Sequence, residues 1–262
     1  MDILDLRLSV EEVALGISTL GYPDLAHNLM IAQLGSMTKE EMRSRLLSAV
    51  HALLARGLVT LSRPDTIHLE NGLKKVAEIL TQADYSIRYQ RSYQNAQFLI
   101  SFHLFEGQVF KHEVEYGVVH HIRQEQGVDS VIQEGITFFE PASVPFITSR
   151  TDIPIPQEVL EDLKDKDDVD IVYQQLKQIM VNDEVAELLS VDLVRFKYRG
   201  SVLRVEYDEH KKPRSESGLL ILGGEDRIWL IRPPDQTSKD YAHLLPGTRN
   251  SLSSEVASLI SS

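Results

Sequence analysis

Hydrophobic positions along this chain change period from helical to strand-like and back, and they do so in the same order in each half. Ser9-Val-Glu-Glu12 has the form of a capping box, with Val10, Val13, Ile17 and Leu20 following at helical spacing. Gly21 closes that helix, and Pro23 opens a second through Leu25, Leu29 and Leu34. Thr38-Lys-Glu-Glu41 starts a third, whose apolar face is Met42, Leu46, Val50, Leu53 and Leu54, and Gly57 is placed to end it. Leu58 to Leu61 and Thr66 to Leu69 flank Ser62-Arg-Pro-Asp65 and predict a short hairpin. Leu73, Val76, Ala77 and Leu80 then read as another helix.

From about Tyr85 to Ile122 the period becomes two. Phe98, Ile100, Phe102 and Leu104 share one face of a strand, Glu106-Gly107 turns the chain, and Phe110, His112, Val114 and Tyr116 alternate with Lys111, Glu113 and Glu115. Val131, Ile132, Ile136 and Phe139 close the half on a short helix. The second half repeats the plan. Helical stripes at Val159, Leu160 and Leu163, at Val172, Leu176, Ile179 and Met180, and at Val185, Leu188 and Leu189 lead into a second meander, from about Val191 to Ile231. There Val194, Phe196 and Tyr198 alternate with Arg195 and Lys197, and Arg199-Gly200 reads as a turn. Leu203, Val205 and Tyr207 form the next strand, and Glu209 to Glu216 reads as a long polar hairpin loop. Leu219 to Leu222 and Ile228 to Ile231 complete the sheet, Pro233-Pro234 ends it, and Ser253 caps a last helix carrying Val256, Leu259 and Ile260.

Pro141, Pro145, Pro154 and Pro156 fall within sixteen residues, and proline removes amide donors, so residues 141–156 are expected to connect two halves, 1–140 and 157–262. The expected fold class is α+β: two similar helix-plus-antiparallel-meander halves forming one extended sheet with pseudo-twofold symmetry, flanked by helices.

Composition narrows the function more than the fold. No run approaches the length of a membrane helix, there is no cysteine for a disulfide or thiolate site, and acids stand where a signal peptide would place bases. These features predict a cytoplasmic protein that does not engage membranes. A net charge of −12 opposes nucleic-acid binding over the whole surface, yet the charge is uneven. Met37 to Lys75 carries seven bases against four acids, whereas Thr151 to Ser190 carries three bases against eleven acids.

The motifs with chemical potential have simpler readings. His120 and His121 point to opposite faces of a strand and cannot share an ion, and His112-Glu113 lacks the second histidine of a zinc helix. Asp165-Lys-Asp-Asp-Val-Asp170 lacks the glycine and glutamate of a calcium loop and reads as a solvated helix end. Gly223-Gly224 reads as a hairpin turn. No catalytic residue, cofactor or metal ligand is expected, and the chain is read as a non-enzyme. The N-terminal block has the order of a winged helix-turn-helix, which would place Lys39, Arg43 and Arg45 near DNA and Arg63 on the wing. The alternative function is therefore a DNA-binding transcriptional regulator whose C-terminal half senses a ligand or dimerises. The last helix is expected to dock on its own domain.

Glu41-Met-Arg-Ser-Arg45 through Leu53-Leu-Ala-Arg-Gly-Leu-Val59, the two meanders, and the ending Gly218, Arg227-Ile-Trp-Leu-Ile-Arg-Pro-Pro234 and a final helix resemble the EspG family, the cytosolic chaperones of type VII secretion systems. The resemblance implies binding without catalysis: a helical secretion substrate held in soluble form by covering its exposed apolar tip. It implies a protein partner, singles out no binding residue, and leaves a homodimer open as an assembly.

Overall fold

The computed structural model describes residues 3–62, 66–143, 146, 152–163, 166–180, 182–208, 213–234 and 240–261. A strand that the helical pattern overlooks comes first, β1 (Asp5–Ser9). The capping box then starts α1 (Val10–Thr19): Ser9 Oγ accepts from the Glu12 amide at 3.2 Å, and a Glu12 carboxylate oxygen accepts from the Ser9 amide at 2.8 Å. Pro23 opens α2 (Pro23–Leu34), and Thr38 with Glu41 repeats the box at the head of α3 (Lys39–Ala55). Gly57, at φ 67°, takes the left-handed position that ends α3. The hairpin β2 (Val59–Ser62) and β3 (Thr66–Leu69) and the helix α4 (Asn71–Gln82) follow. The first meander is β4 (Tyr85–Ser92), β5 (Gln97–Phe105), β6 (Gln108–Glu115) and β7 (Val119–Gln124), closed by α5 (Val128–Phe139).

The second series runs β8 (Ile153–Pro156), α6 (Gln157–Leu163), α7 (Val169–Ile179), α8 (Asp183–Val194), β9 (Tyr198–Tyr207), β10 (Pro213–Gly223), β11 (Ile228–Arg232), β12 (Tyr241–Pro246) and α9 (Arg249–Ser261). Ten of the strands form one sheet in the order β1-β7-β6-β5-β4-β9-β10-β11-β12-β8, and β2 and β3 form a separate pair. In each series the strand that precedes the helices pairs antiparallel with the last strand of the meander: Arg7 lies opposite His121, and Ala242 opposite Ile155. Counted outwards from the β4–β9 pair, both series present their strands in the same order. The α+β class and the extended sheet are as expected.

The two sheet edges are protected by different means. Proline lacks an amide proton, and β8 places Pro154 and Pro156 at one edge. At the other, Arg56 Nη2 donates to the Arg7 carbonyl at 2.8 Å, occupying an acceptor that another strand could use.

The chain forms two compact units that do not follow the sequence halves. Residues 1–86, 100–127 and 206–214 make the first; residues 87–99, 128–205 and 215–262 make the second. In the first, α1 packs against α2, α3 and α4, burying Val10, Val13, Ile17, Leu53 and Leu73 with Phe110 and Ile122 of the sheet. In the second, Trp229, Leu222 and Leu244 of the sheet pack against Val172, Leu176, Val185 and Leu189 of α7 and α8. The helix α5, expected to close the first half, belongs to this second unit and packs on α9. The proline-rich stretch expected as a connector contains β8.

Other differences have local causes. Asn182 caps α8 by accepting from the Glu184 and Val185 amides, and the helix runs on to Val194, so the strand expected from there begins only at Tyr198. Gly200 does not turn the chain. It lies inside β9, where a Cβ would fall 2.8 Å from a Phe139 ring carbon and 2.9 Å from the Gln90 carbonyl oxygen. Pro213 to Glu216, expected in a loop, belongs to β10, while 209–212 lie outside the described residues. The last helix starts at Arg249, capped by Thr248 and not by Ser253: Thr248 Oγ1 accepts from the Ser251 amide at 3.1 Å. As expected, it docks within its own unit, burying Leu252 and Val256, and Arg204 donates to the last-turn carbonyls of Leu259 and Ile260.

Gly247 gives a direct check on this packing. Its amide donates to the Ile228 carbonyl at 2.8 Å, and a Cβ there would lie 2.1 Å from Ile228 Cγ1 and 2.7 Å from that carbonyl oxygen. Gly247→Ala is expected to destabilise the protein by about 1–3 kcal/mol through overpacking, read as a lower urea midpoint at unchanged m value.

Candidate functional site

Alternation places His103 of β5, His112 of β6 and His120 of β7 on one face of the sheet, in the first unit. They form one hydrogen-bonded chain. His103 Nε2 lies 3.3 Å from His112 Nδ1, and His112 Nε2 lies 2.8 Å from His120 Nδ1. Neighbouring planes are inclined by only 31° and 25° across centroid separations of 5.5 and 5.1 Å, an edge-to-edge ribbon of rings. Ser86 Oγ lies 2.8 Å from His103 Nδ1 and 3.2 Å from the Tyr207 hydroxyl, and His120 Nε2 lies 2.9 Å from Gln33 Oε1 on α2. Ser86 is fully buried and its oxygen lies between His103 and Tyr207, so this serine is not presented as a nucleophile.

Burial holds His120 neutral, lowering its pKa from 6.5 to about 4. The unfolded chain takes up this proton more readily than the folded one. The contribution to stability is therefore complete above about pH 6.5 and is lost as pH falls from there through 4, reaching about 3 kcal/mol. Urea unfolding from pH 7.5 to 4 is expected to show this loss, and His120→Gln to remove most of it.

His121 points to the other face, as expected, where its Nε2 lies 2.8 Å from Asp5 and its Nδ1 3.3 Å from Glu115. Among the described residues no cluster of histidine and carboxylate has the arrangement of a metal site. Within the acidic Asp165 to Asp170 stretch, Asp168 accepts from the Asp170 and Ile171 amides and caps α7, the helix-end role expected. Asp165 lies outside the described residues.

The N-terminal block has the predicted order of three helices and a hairpin. Lys39 and Arg43 are exposed on α3, but Arg45 pairs with Glu11 at 2.9 Å and Arg56 with Glu12 at 2.8 Å, so α1 acids neutralise two of the local bases. Arg63, the expected wing residue, lies outside the described residues. The groove between α1 and α3, lined by Ser9, Glu12, Ser44, Ser48 and Ala52, is spanned by the Arg45–Glu11 pair.

Two hairpin tips expose apolar side chains. At the β4–β5 tip, in the second unit, Tyr93, Phe98 and Leu99 are 38%, 47% and 48% exposed. Its base is anchored by Arg91, whose guanidinium lies 5.2 to 5.8 Å from the ring centres of Tyr93, Phe98, Phe138 and Tyr198 while Nη1 donates to the Phe138 carbonyl. The Tyr198 hydroxyl donates to the Phe139 carbonyl at 2.8 Å, and burial raises its pKa. At the β6–β7 tip, in the first unit, Tyr116 is 92% exposed between Val114 and Val118. Tyr116 and Gly117 both take left-handed backbone, at φ 54° and 73°. That conformation costs a tyrosine about 1–2 kcal/mol, and a side chain this exposed gains little burial to offset it. Neither tip is visible as a site in the hydrophobic pattern, because alternation marks faces and not exposure.

No helix among the described residues is long and apolar enough to cross a membrane. No curated protein matches the chain. Among solved structures it is similar to EspG5, the type VII secretion system chaperone of Mycobacterium tuberculosis, solved in complex with the PE25–PPE41 dimer. The TM-score is 0.65 at 13% identity, with 98% of this chain and 95% of that chain covered, so the fold resembles the EspG fold throughout its length. The family model described as "Uncharacterised protein YfjC" matches residues 5–253, and the chain belongs to that family.

Proposed function

We propose that this protein is a non-enzymatic chaperone or adaptor of the cytoplasm that binds a helical secretion substrate and covers its apolar tip. The observation that carries the reading is the whole-length similarity to a secretion chaperone solved with a protein dimer bound. The exposed apolar tips support it, since side chains such as Phe98, Leu99 and Tyr116 left in water on firm hairpins suit protein contact. The acidic surface and the pairing of Arg45 with Glu11 favour a protein over nucleic acid.

Affinity purification of the tagged chain from its native cell, followed by mass spectrometry, tests the proposal. One protein recovered in stoichiometric amount is expected, with a defined complex on reconstitution from purified components. Recovery of DNA in a salt-sensitive complex that disappears with Arg43→Ala and Arg45→Ala would replace the chaperone reading with the regulator.

A further inference from the structure

The acidic segment that opens the second series of helices folds into a cleft. Glu158, Val159 and Asp162 of α6 line it together with Gln175, Gln178 and Ile179 of α7, around a solvent-open volume of about 350 Å³. All six residues belong to the second unit. Gln175 Nε2 donates to Asp162 Oδ2 at 3.2 Å and ties the two walls together. Val159 is half-buried against the core of that unit, so the floor between the helices is firmly seated.

Helical spacing extends the cleft into a stripe. Ile171, Gln175, Gln178 and Ile179 fall within one face of α7, while Val172 and Leu176 are buried on another. Ile171 is 52% exposed and Ile179 38%, and they stand two turns apart, about 12 Å along the helix axis. The charge around this stripe is of one sign. From Gln157 to Ser190 ten acids stand against Lys164, Lys166 and Lys177, a net charge of −7. Lys177 is held by Asp183 at 3.1 Å, Lys166 reaches Asp162 only at 3.7 Å, and Lys164 lies outside the described residues. Glu158 and Asp162 stand one turn apart on α6, the spacing at which side chains of a helix laid alongside recur.

We propose that the α6–α7 cleft docks a basic amphipathic helix of a partner protein. Two apolar side chains about two turns apart on that helix cover Ile171 and Ile179, and lysines or arginines one turn apart meet Glu158 and Asp162. Charge complementarity selects this occupant. The surplus of carboxylates repels nucleic acid and anionic lipid, and a small hydrophilic cation would leave the two isoleucines in water. The surface shares no residue with the two apolar hairpin tips, and it does not depend on the chaperone reading.

The test uses a fluorescent peptide of about 18 residues, long enough to form a helix, with leucines two turns apart on one face and lysines flanking them. Its binding to the full chain is followed by fluorescence anisotropy. The expected result is binding at about micromolar peptide that weakens several-fold between about 0.05 and 0.3 M salt. Ile171→Ser combined with Ile179→Ser is expected to weaken it at least about tenfold, as is Glu158→Gln combined with Asp162→Asn. Both isoleucines are exposed, so the serine variant should keep its fold, which its melting curve checks. Glu184→Gln combined with Glu187→Gln, on α8 and outside the cleft lining, is expected to leave binding within about twofold. No binding by the wild type would overturn the proposal. Equal loss in the α8 variant would also overturn it, by showing attraction to the acidic surface at large. A dimer of the chain alone that the serine variant dissociates, read by sedimentation, would overturn it too, because the occupant would then be a second copy.

Discussion

Asp192→Ala is expected to lower stability by about 3–5 kcal/mol, the largest effect of any single substitution considered. Asp192 sits on α8 at 2% exposure, and one of its oxygens accepts from Arg227 Nε at 2.6 Å and from Trp229 Nε1 at 2.8 Å. Truncation strands the indole N–H of a fully buried tryptophan and leaves the guanidinium without its carboxylate. It also detaches α8 from β11 at the centre of the second unit's core. Asp192→Asn retains an acceptor for the indole and is expected to cost less, about 1–3 kcal/mol. Urea unfolding at pH 7 checks both; a loss under about 1 kcal/mol for the alanine variant would show that the carboxylate is not a structural anchor.

Replacing both Phe98 and Leu99 with serine is expected to weaken partner binding by about 100-fold or more, the combined effect of two apolar anchors worth about 1.4 kcal/mol each. Stability should fall only modestly: the variant loses the Phe98 ring from beside Arg91 and Tyr93, but each side chain is nearly half exposed and Arg91 keeps Tyr93, Phe138 and Tyr198. Arg91→Ala separates anchor from contact: it is expected to lower the melting temperature and to weaken binding less than the double serine variant. The double variant melting with the wild type and binding equally well would remove this tip from the interface.

Much of the fold was legible because periodicity and capping act locally. Both capping boxes, the stop at Gly57, the first meander and the helix at Val128 to Phe139 follow from residues within a few positions of one another. The edge strands were not, although Leu4, Leu6 and Leu8 do alternate: each is short and takes its partner from more than 80 residues away, as Arg7 does from His121. Gly223-Gly224 shows the limit of local reading. A turn does follow, with the Gly224 amide donating to the Arg227 carbonyl. Yet a Cβ on Gly223 would fall 2.3 Å from the Tyr198 ring, and one on Gly224 would fall 2.2 Å from Asp192 Oδ1, so tertiary packing also excludes a side chain at both. The histidine ribbon escaped notice for a related reason. His103, His112 and His120 are scattered in sequence, and only the registers of three strands bring them into line.

The chaperone reading rests on one physical claim, that this chain keeps an otherwise insoluble protein in solution by covering its apolar surface. Co-expression tests it most directly, with the partner recovered by pull-down produced alone, with the wild-type chain, and with the Phe98→Ser/Leu99→Ser variant. The expected result is a partner that is insoluble alone, soluble as a defined complex with the wild type, and largely insoluble with the variant. A partner equally soluble in all three cultures, with no complex on size exclusion, would contradict the claim.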